Sequence, residues 1–239
     1  MKIENPNYNI ADLKEADARI HERWKKNKIN LKFNKNDRIL VVGTLNYINK
    51  INNLGTKKVF ALDPEKKPNF LNLKNLKNVK FKKTNLKRIY FKENYFDFIF
   101  CNGILSHLDN WKKILNEFYR VLKPQGKLWI NVFGYSKFRR IPENINRKFN
   151  ENDKQNINKI LTIEKWNIQK IKYIENMFFW KKRILFKKKI LEKNLKKIGF
   201  TNAKFCHRGT QSDLSEQVFK DKKLKLLFND GDLRYLLSK

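Results

Sequence analysis

The chain has 239 residues, 41% of them hydrophobic and 13% aromatic, and carries a formal net charge of +32. That length suits one α/β domain with a modest insertion and buries a substantial core; the aromatic content excludes a disordered chain. Lys supplies most of the charge beside abundant Asn, Ile and Phe, as an A/T-rich coding sequence would produce. The charge therefore marks a solvated surface first, although such a surface also attracts nucleic acid or anionic lipid. Cys101 and Cys206 match neither a disulfide framework nor a zinc spacing. No apolar N-terminal stretch marks a signal peptide, and no run reaches the ~18 apolar residues of a membrane span. A cytoplasmic protein without a metal is expected.

Ile10, Leu13, Ala16, Ile20 and Trp24 recur at spacings of three and four, so the N-terminal segment is read as an amphipathic helix. Arg38 to Gly43 is a short apolar run, the signature of a buried parallel strand. A short helix over 48–54 closed by Gly55 follows, then a second strand, Val59 to Leu62, ending at Asp63-Pro64. Val79 to Phe81 and Phe96 to Cys101 are read as the third and fourth strands. Trp111 to Leu122 repeats apolar residues on one side and reads as a helix stopped by Lys123-Pro124-Gln125-Gly126. Lys127 to Phe133 is the fifth strand.

Residues 135–186 break this rhythm and are read as a helical insertion, a lid over the carboxyl edge of the sheet. A helix over 188–198 closed by Gly199 and strands at 203–207 and 233–237 complete the chain. Alternating strands and helices imply a parallel sheet with right-handed crossovers. The expected fold is α/β: a Rossmann-like three-layer sandwich with a mostly parallel seven-stranded sheet and an antiparallel C-terminal strand pair. It forms one domain over 1–239. Residues 1–36 are an N-terminal helical extension, 37–134 a cofactor-binding half, 135–186 the insertion, and 187–239 the closing helix and strands.

In an open parallel sheet, ligands bind beyond the carboxyl ends of the strands. Gly43-Thr44 follows strand one, where a glycine lets backbone approach a cofactor closely. Asp63, before Pro64, can accept hydrogen bonds from ribose hydroxyls. Asn85, between Thr84 and Leu86, can read an adenine edge, and Asn102-Gly103 follows strand four with His107 close behind. Each also has a purely structural reading. Gly43 ends a strand, Asp63-Pro64 caps a helix, Asn85 bonds its own backbone, and His107 caps a helix or lies on the surface.

The run Phe96-Asp97-Phe98-Ile99-Phe100-Cys101-Asn102-Gly103-Ile104-Leu105-Ser106-His107-Leu108, the helix after it and Lys123-Pro124-Gln125-Gly126 closely resemble the second half of class I methyltransferases of the small-molecule type. The resemblance extends from about Asp37 to Phe133. It implies S-adenosylmethionine as cofactor, with Asp63 on the ribose, Asn85 at the adenine amino group, and Asn102 and Gly103 near the methionine part. Gly43, Thr44, Pro64 and Leu86 complete the implied cofactor site. The family's acidic residue and three alternate glycines fall on Val41, Gly43, Leu45 and Tyr47, of which only Gly43 keeps the pattern. Side chains at Leu45 and Tyr47 are therefore expected to crowd the ligand.

The implied reaction is methyl transfer to a small-molecule acceptor. His107 is the candidate base, and Tyr135, Arg139 and Arg140 after strand five are the candidate acceptor contacts. Two other readings stand beside it: an RNA methyltransferase, suggested by aromatics interleaved with Lys, and a catalytically silent binding protein, suggested by the altered loop. Nucleic acid is possible but less favoured. No Gly-x-Gly-x-x-Gly follows strand one, which argues against a nicotinamide-dependent enzyme.

Overall fold

A computed structural model describes residues 10–43, 47, 48, 51, 53–56, 58–63, 79–136, 139, 152, 155, 156, 159, 184–211 and 213–239. Within them lie α1 (Ile10–Lys26), β1 (Arg38–Gly43), β2 (Lys58–Asp63), β3 (Val79–Lys83), β4 (Phe96–Asn102), α2 (Trp111–Val121) and β5 (Leu122–Phe133). Further along the chain come α3 (Lys188–Ile198), β6 (Thr201–Phe205), α4 (Leu214–Lys220), α5 (Lys222–Phe228) and β7 (Asp232–Ser238). The strands form one sheet in the order β3-β2-β1-β4-β5-β7-β6. β1 to β5 run parallel, and β7 lies antiparallel between β5 and β6. This is the expected Rossmann-like three-layer sandwich.

Side chains alternate across a strand, so each apolar run feeds two cores. Leu40, Val42, Ile99, Cys101, Leu128 and Ile130 meet Leu115 and Phe118 of α2 and Leu191 and Leu195 of α3 on one face. Ile39, Val41, Phe98, Phe100 and Trp129 meet Ile20 and Trp24 of α1 on the other. Trp24 stands edge-on to Phe98, Phe100 and Trp129 at 6.0–6.5 Å between centroids, the favoured aromatic geometry. Both thiols are free and buried, and burial pushes the Cys206 thiol up to about 11. α3 ends as its sequence requires, with Gly199 at φ 112° and Phe200 N–H donating to the Leu195 carbonyl.

Lys123-Pro124-Gln125-Gly126, expected as a stop, lies inside β5. α2 ends at Val121, Leu122 turns extended and pairs with Phe96, and the register slips before Lys127 meets Phe98. Gln125 at φ 63° takes up the extra residues, so the segment is a bulge at the sheet's amino edge. The last two strands also shift: β6 starts at Thr201, and β7 runs from Asp232 to Ser238. Between them the chain inserts α4 and α5, which its periodicity had not suggested. Most of the lid expected over 135–186 lies outside the described residues.

Candidate cofactor and acceptor site

The strand register sets one row of residues across the carboxyl edge of the sheet. Gly43 lies opposite Asn102, Asn102 opposite Asn131, and Asn131 opposite Arg234. On the other side of β1, Val42 pairs with Leu62, which brings Asp63 level with Gly43. Alternation puts the whole row on the face shared with Val41, Ala61, Phe100 and Trp129, above the α1 core. A carboxylate, a bare glycine and two amides thus stand side by side where α/β sheets bind ligands.

Gly43 is at φ 81°, and a Cβ there would meet the Ile104 Cβ at 2.5 Å. Only glycine lets β1 end against the turn after β4. That turn is a short 3-10 helix, Ile104–His107, entered through Gly103 at φ 83°. Gly103 N–H donates to the Asn131 carbonyl at 2.8 Å, and Phe133 N–H donates to Ser106 Oγ at 2.9 Å. These bonds lock the turn to β5. They leave His107 half-buried at the carboxyl edge, its ring edge-on to Phe133 at 5.7 Å.

Asp63 closes β2 and is partly exposed, and its carbonyl accepts from Thr84 N–H. Asn102 is buried. Asn85 is exposed, and its Oδ1 accepts from Lys87 N–H at 3.0 Å, the self-contained turn that was its structural reading. The Leu86 side chain sits in the apolar core, so only its backbone is left to line a site. Asn131 did not stand out in the sequence. Its Oδ1 is buried with no hydrogen-bond partner among the described residues, and such an orphan calls for a ligand or water donor.

Tyr47 corrects an expectation. Its side chain does not crowd the ligand side but turns into the α1 core, 5% exposed, edge-on to Phe100 at 5.5 Å. The Tyr47 hydroxyl accepts from Arg23 Nη1 at 3.2 Å. Arg23 grips Asp213 through Nε and Nη2 at 2.7 and 2.5 Å, and Asp213 also lies 3.1 Å from Arg234 Nη2. Arg234 reaches Asp232 at 3.3 Å, and Asp232 takes a 2.6 Å bond from Arg139 Nη2. A buried chain of alternating charges therefore joins the loop after β1, helix α1, the β6–β7 connector, β7 and the segment after β5. Burial by itself would raise the Asp213 carboxyl, but Arg234 and Arg23 together hold it well below the carboxylate range.

Arg139 was expected to contact the acceptor. Its guanidinium also donates to the Gly134 carbonyl at 3.1 Å, so it fastens the post-β5 segment to β7. Tyr135 is half-buried, with Lys187 Nζ 5.3 Å from its ring centroid. Thr44, Pro64 and Arg140 lie outside the described residues, as does Leu45. Sequence spacing could not have found the Arg23–Asp213–Arg234 chain, because Arg23 and Asp213 lie 190 positions apart. The cleft between Phe33, Asp97 and Lys127 opens at the opposite, amino edge.

Residues 40–130 match the family model of the methyltransferase domain, spanning β1 to β5 and every described member of the row but Asn131 and Arg234. Over that stretch the chain is similar to the methyltransferase domain, whose members use S-adenosylmethionine. An uncharacterised protein of Methanocaldococcus jannaschii is 35% identical over 115 residues, 46% of this chain and 48% of that one. The chain thus spans about half the length of that curated relative. Solved structures share the fold. An Archaeoglobus fulgidus S-adenosylmethionine-dependent methyltransferase superposes with TM-score 0.58 at 13% identity, covering 95% of this chain and 94% of that one. Phosphoethanolamine N-methyltransferase 2 of Haemonchus contortus, in complex with S-adenosylmethionine, does so with TM-score 0.53 at 16% identity, over 90% and 51%.

The partly exposed carboxylate of Asp63 and the bare backbone at Gly43 are groups that would suit a nucleoside at this edge. Val41 stands where the resemblance would put an acidic residue. Val41 is fully buried in the α1 core, so its position supplies neither charge nor contact there. No helix among the described residues is long and apolar enough to cross a membrane.

Proposed function

We propose that this chain transfers a methyl group from S-adenosylmethionine to a small-molecule acceptor. The observation that carries this reading is the row Asp63, Gly43, Asn102 and Asn131 on one face of the carboxyl edge. The cofactor supplies an electrophilic methyl group, already activated as a sulfonium. The protein's task is then alignment and exclusion of water, an effect of several kcal/mol. Asp63 accepts from the ribose hydroxyls. Gly43 and Thr44 offer backbone to the cofactor, and Pro64, Asn85 and Leu86 flank the adenine. Asn102 and Gly103 border the methionine part. Asn131, two strands from Gly43, faces the acceptor with an oxygen that takes a donor; Tyr135 and Arg140 are the further acceptor contacts in this reading.

His107 takes the proton when the acceptor is a hydroxyl or ammonium group. His107→Ala is expected to lower kcat about 10²–10⁴-fold with the affinity for S-adenosylhomocysteine unchanged. Equal kcat in variant and parent removes the role. The acceptor class is tested by transfer of labelled methyl from S-adenosylmethionine into fractionated cell extract. Label is expected in the small-molecule fraction. Label confined to RNA, or no transfer at all, overturns the reading in favour of an RNA methyltransferase or of a silent binding protein.

A further inference from the structure

The connector between β6 and β7 buries acids beside the apolar Val218. β6 ends level with Tyr235, and β7 starts opposite Phe133, so the connector lies on the carboxyl edge beside the proposed site. Surface helices normally turn apolar residues inward and charges outward. Here the segment opening α4 turns Asp213, Ser215 and Glu216 inward. Asp213 meets Arg23 and Arg234, Ser215 Oγ accepts from Arg234 Nη1, and Glu216 is gripped by Arg208 and Lys26. Glu216 also accepts from Gly209 N–H at 2.9 Å.

Outward, the same connector presents Phe219, half exposed, and Leu226, 80% exposed; among the described residues, the other large exposed hydrophobics are Tyr90 and Ile190. Lys220, Lys223 and Lys225 are exposed around them. Two of the connector's acids are spent inside. Of those outside, Asp221 is held as the cap of α5, accepting from Lys223 N–H at 2.8 Å, which leaves Asp230.

We propose that α4 and α5 dock this protein on an anionic lipid surface, with Phe219 and Leu226 entering the headgroup boundary and the surrounding lysines facing the lipid charge. Apolar tips ringed by lysine are the chemistry that holds an interfacial helix. Single-stranded RNA fits less well. Base stacking needs a free aromatic face, but the Phe219 ring already carries His207 at 4.8 Å and the Arg208 guanidinium at 4.3 Å, and Leu226 has no ring. The buried Asp213 and Glu216 contacts fix the connector from within, so docking needs no refolding and turns the carboxyl edge toward the membrane surface.

The test is flotation of the whole protein with vesicles, read without any methyl transfer and so independent of the proposed reaction. Binding to vesicles containing phosphatidylglycerol is expected to be at least ~10-fold tighter than to pure phosphatidylcholine. Phe219→Ser with Leu226→Ser is expected to weaken it about 5-fold or more, and Lys223→Glu with Lys225→Glu to do likewise. Leu226→Ser alone, which leaves the Phe219 contacts intact, lowers binding at an unchanged melting temperature. The proposal is overturned by three results: no preference for anionic vesicles, binding insensitive to both apolar substitutions, or single-stranded RNA displacing the vesicles and losing affinity through the same substitutions.

Discussion

Asp213→Ala is expected to destabilise the fold by about 3–5 kcal/mol, because it leaves two buried guanidinium groups without their shared carboxylate. Arg23 and Arg234 lie against Asp213 at 2.5 and 3.1 Å, and the side chains of all three are 8% exposed or less. A melting temperature about 10 °C lower would register the loss; a change within about 2 °C would refute the account of the chain. Its pH dependence has a definite sign. The Asp213 and Glu216 carboxyls are both held low in the fold; for Glu216, burial opposes this, while Arg208, Gly209 N–H and Lys26 bring it to about 2. Groups held low contribute stability that is present above their unfolded pKa of about 4 and lost as pH falls toward the folded values. Stability is therefore expected to be level from neutrality to about pH 5 and to fall steeply below it, with a shallower fall in Asp213→Ala. Thermal melts across that range check both.

Gly43→Ala carries the next largest effect. The new Cβ adopts φ 81° and lies 2.5 Å from the Ile104 Cβ. Left-handed strain of about 1–2 kcal/mol adds to overpacking of about 1–3 kcal/mol. The Ile104 turn must shift, and Gly103, Ser106 and His107 move with it, so affinity for S-adenosylhomocysteine falls together with the melting temperature. Ile104→Ala in the same chain is expected to return the steric part and not the backbone part, a coupling that a double-mutant cycle reads directly. Additive effects of the two substitutions would show that Gly43 does not hold this turn.

The sheet was legible because buried parallel strands write themselves as apolar runs. Arg38–Gly43, Phe96–Cys101 and Lys127–Phe133 needed no tertiary information. That Asp63 and Gly43 stand at the carboxyl edge was legible because each closes an apolar strand run. The misreadings share a cause. Lys123-Pro124-Gln125-Gly126 does follow the end of α2, as expected, but β5 starts earlier than Lys127 because sheet pairing draws this segment into a bulge. Tyr47 was judged by its position in a glycine pattern, but its ring is claimed by Phe100 and its hydroxyl by Arg23. Asn131 is an ordinary polar residue in a strand until register sets it beside Asn102. Arg23 lies next to Trp24 on the buried side of α1, a position that requires an acid. That acid is supplied from the far end of the chain, and no local spacing records it.

The most direct test of the cofactor edge is calorimetric titration of the whole protein with S-adenosylhomocysteine, repeated on Asp63→Ala. Micromolar binding is expected in the parent. The substitution is expected to weaken it by about 10–100-fold, the worth of one or two hydrogen bonds to a charged acceptor. No binding at millimolar ligand, or equal affinity in parent and variant, would contradict the assignment of this edge to the cofactor.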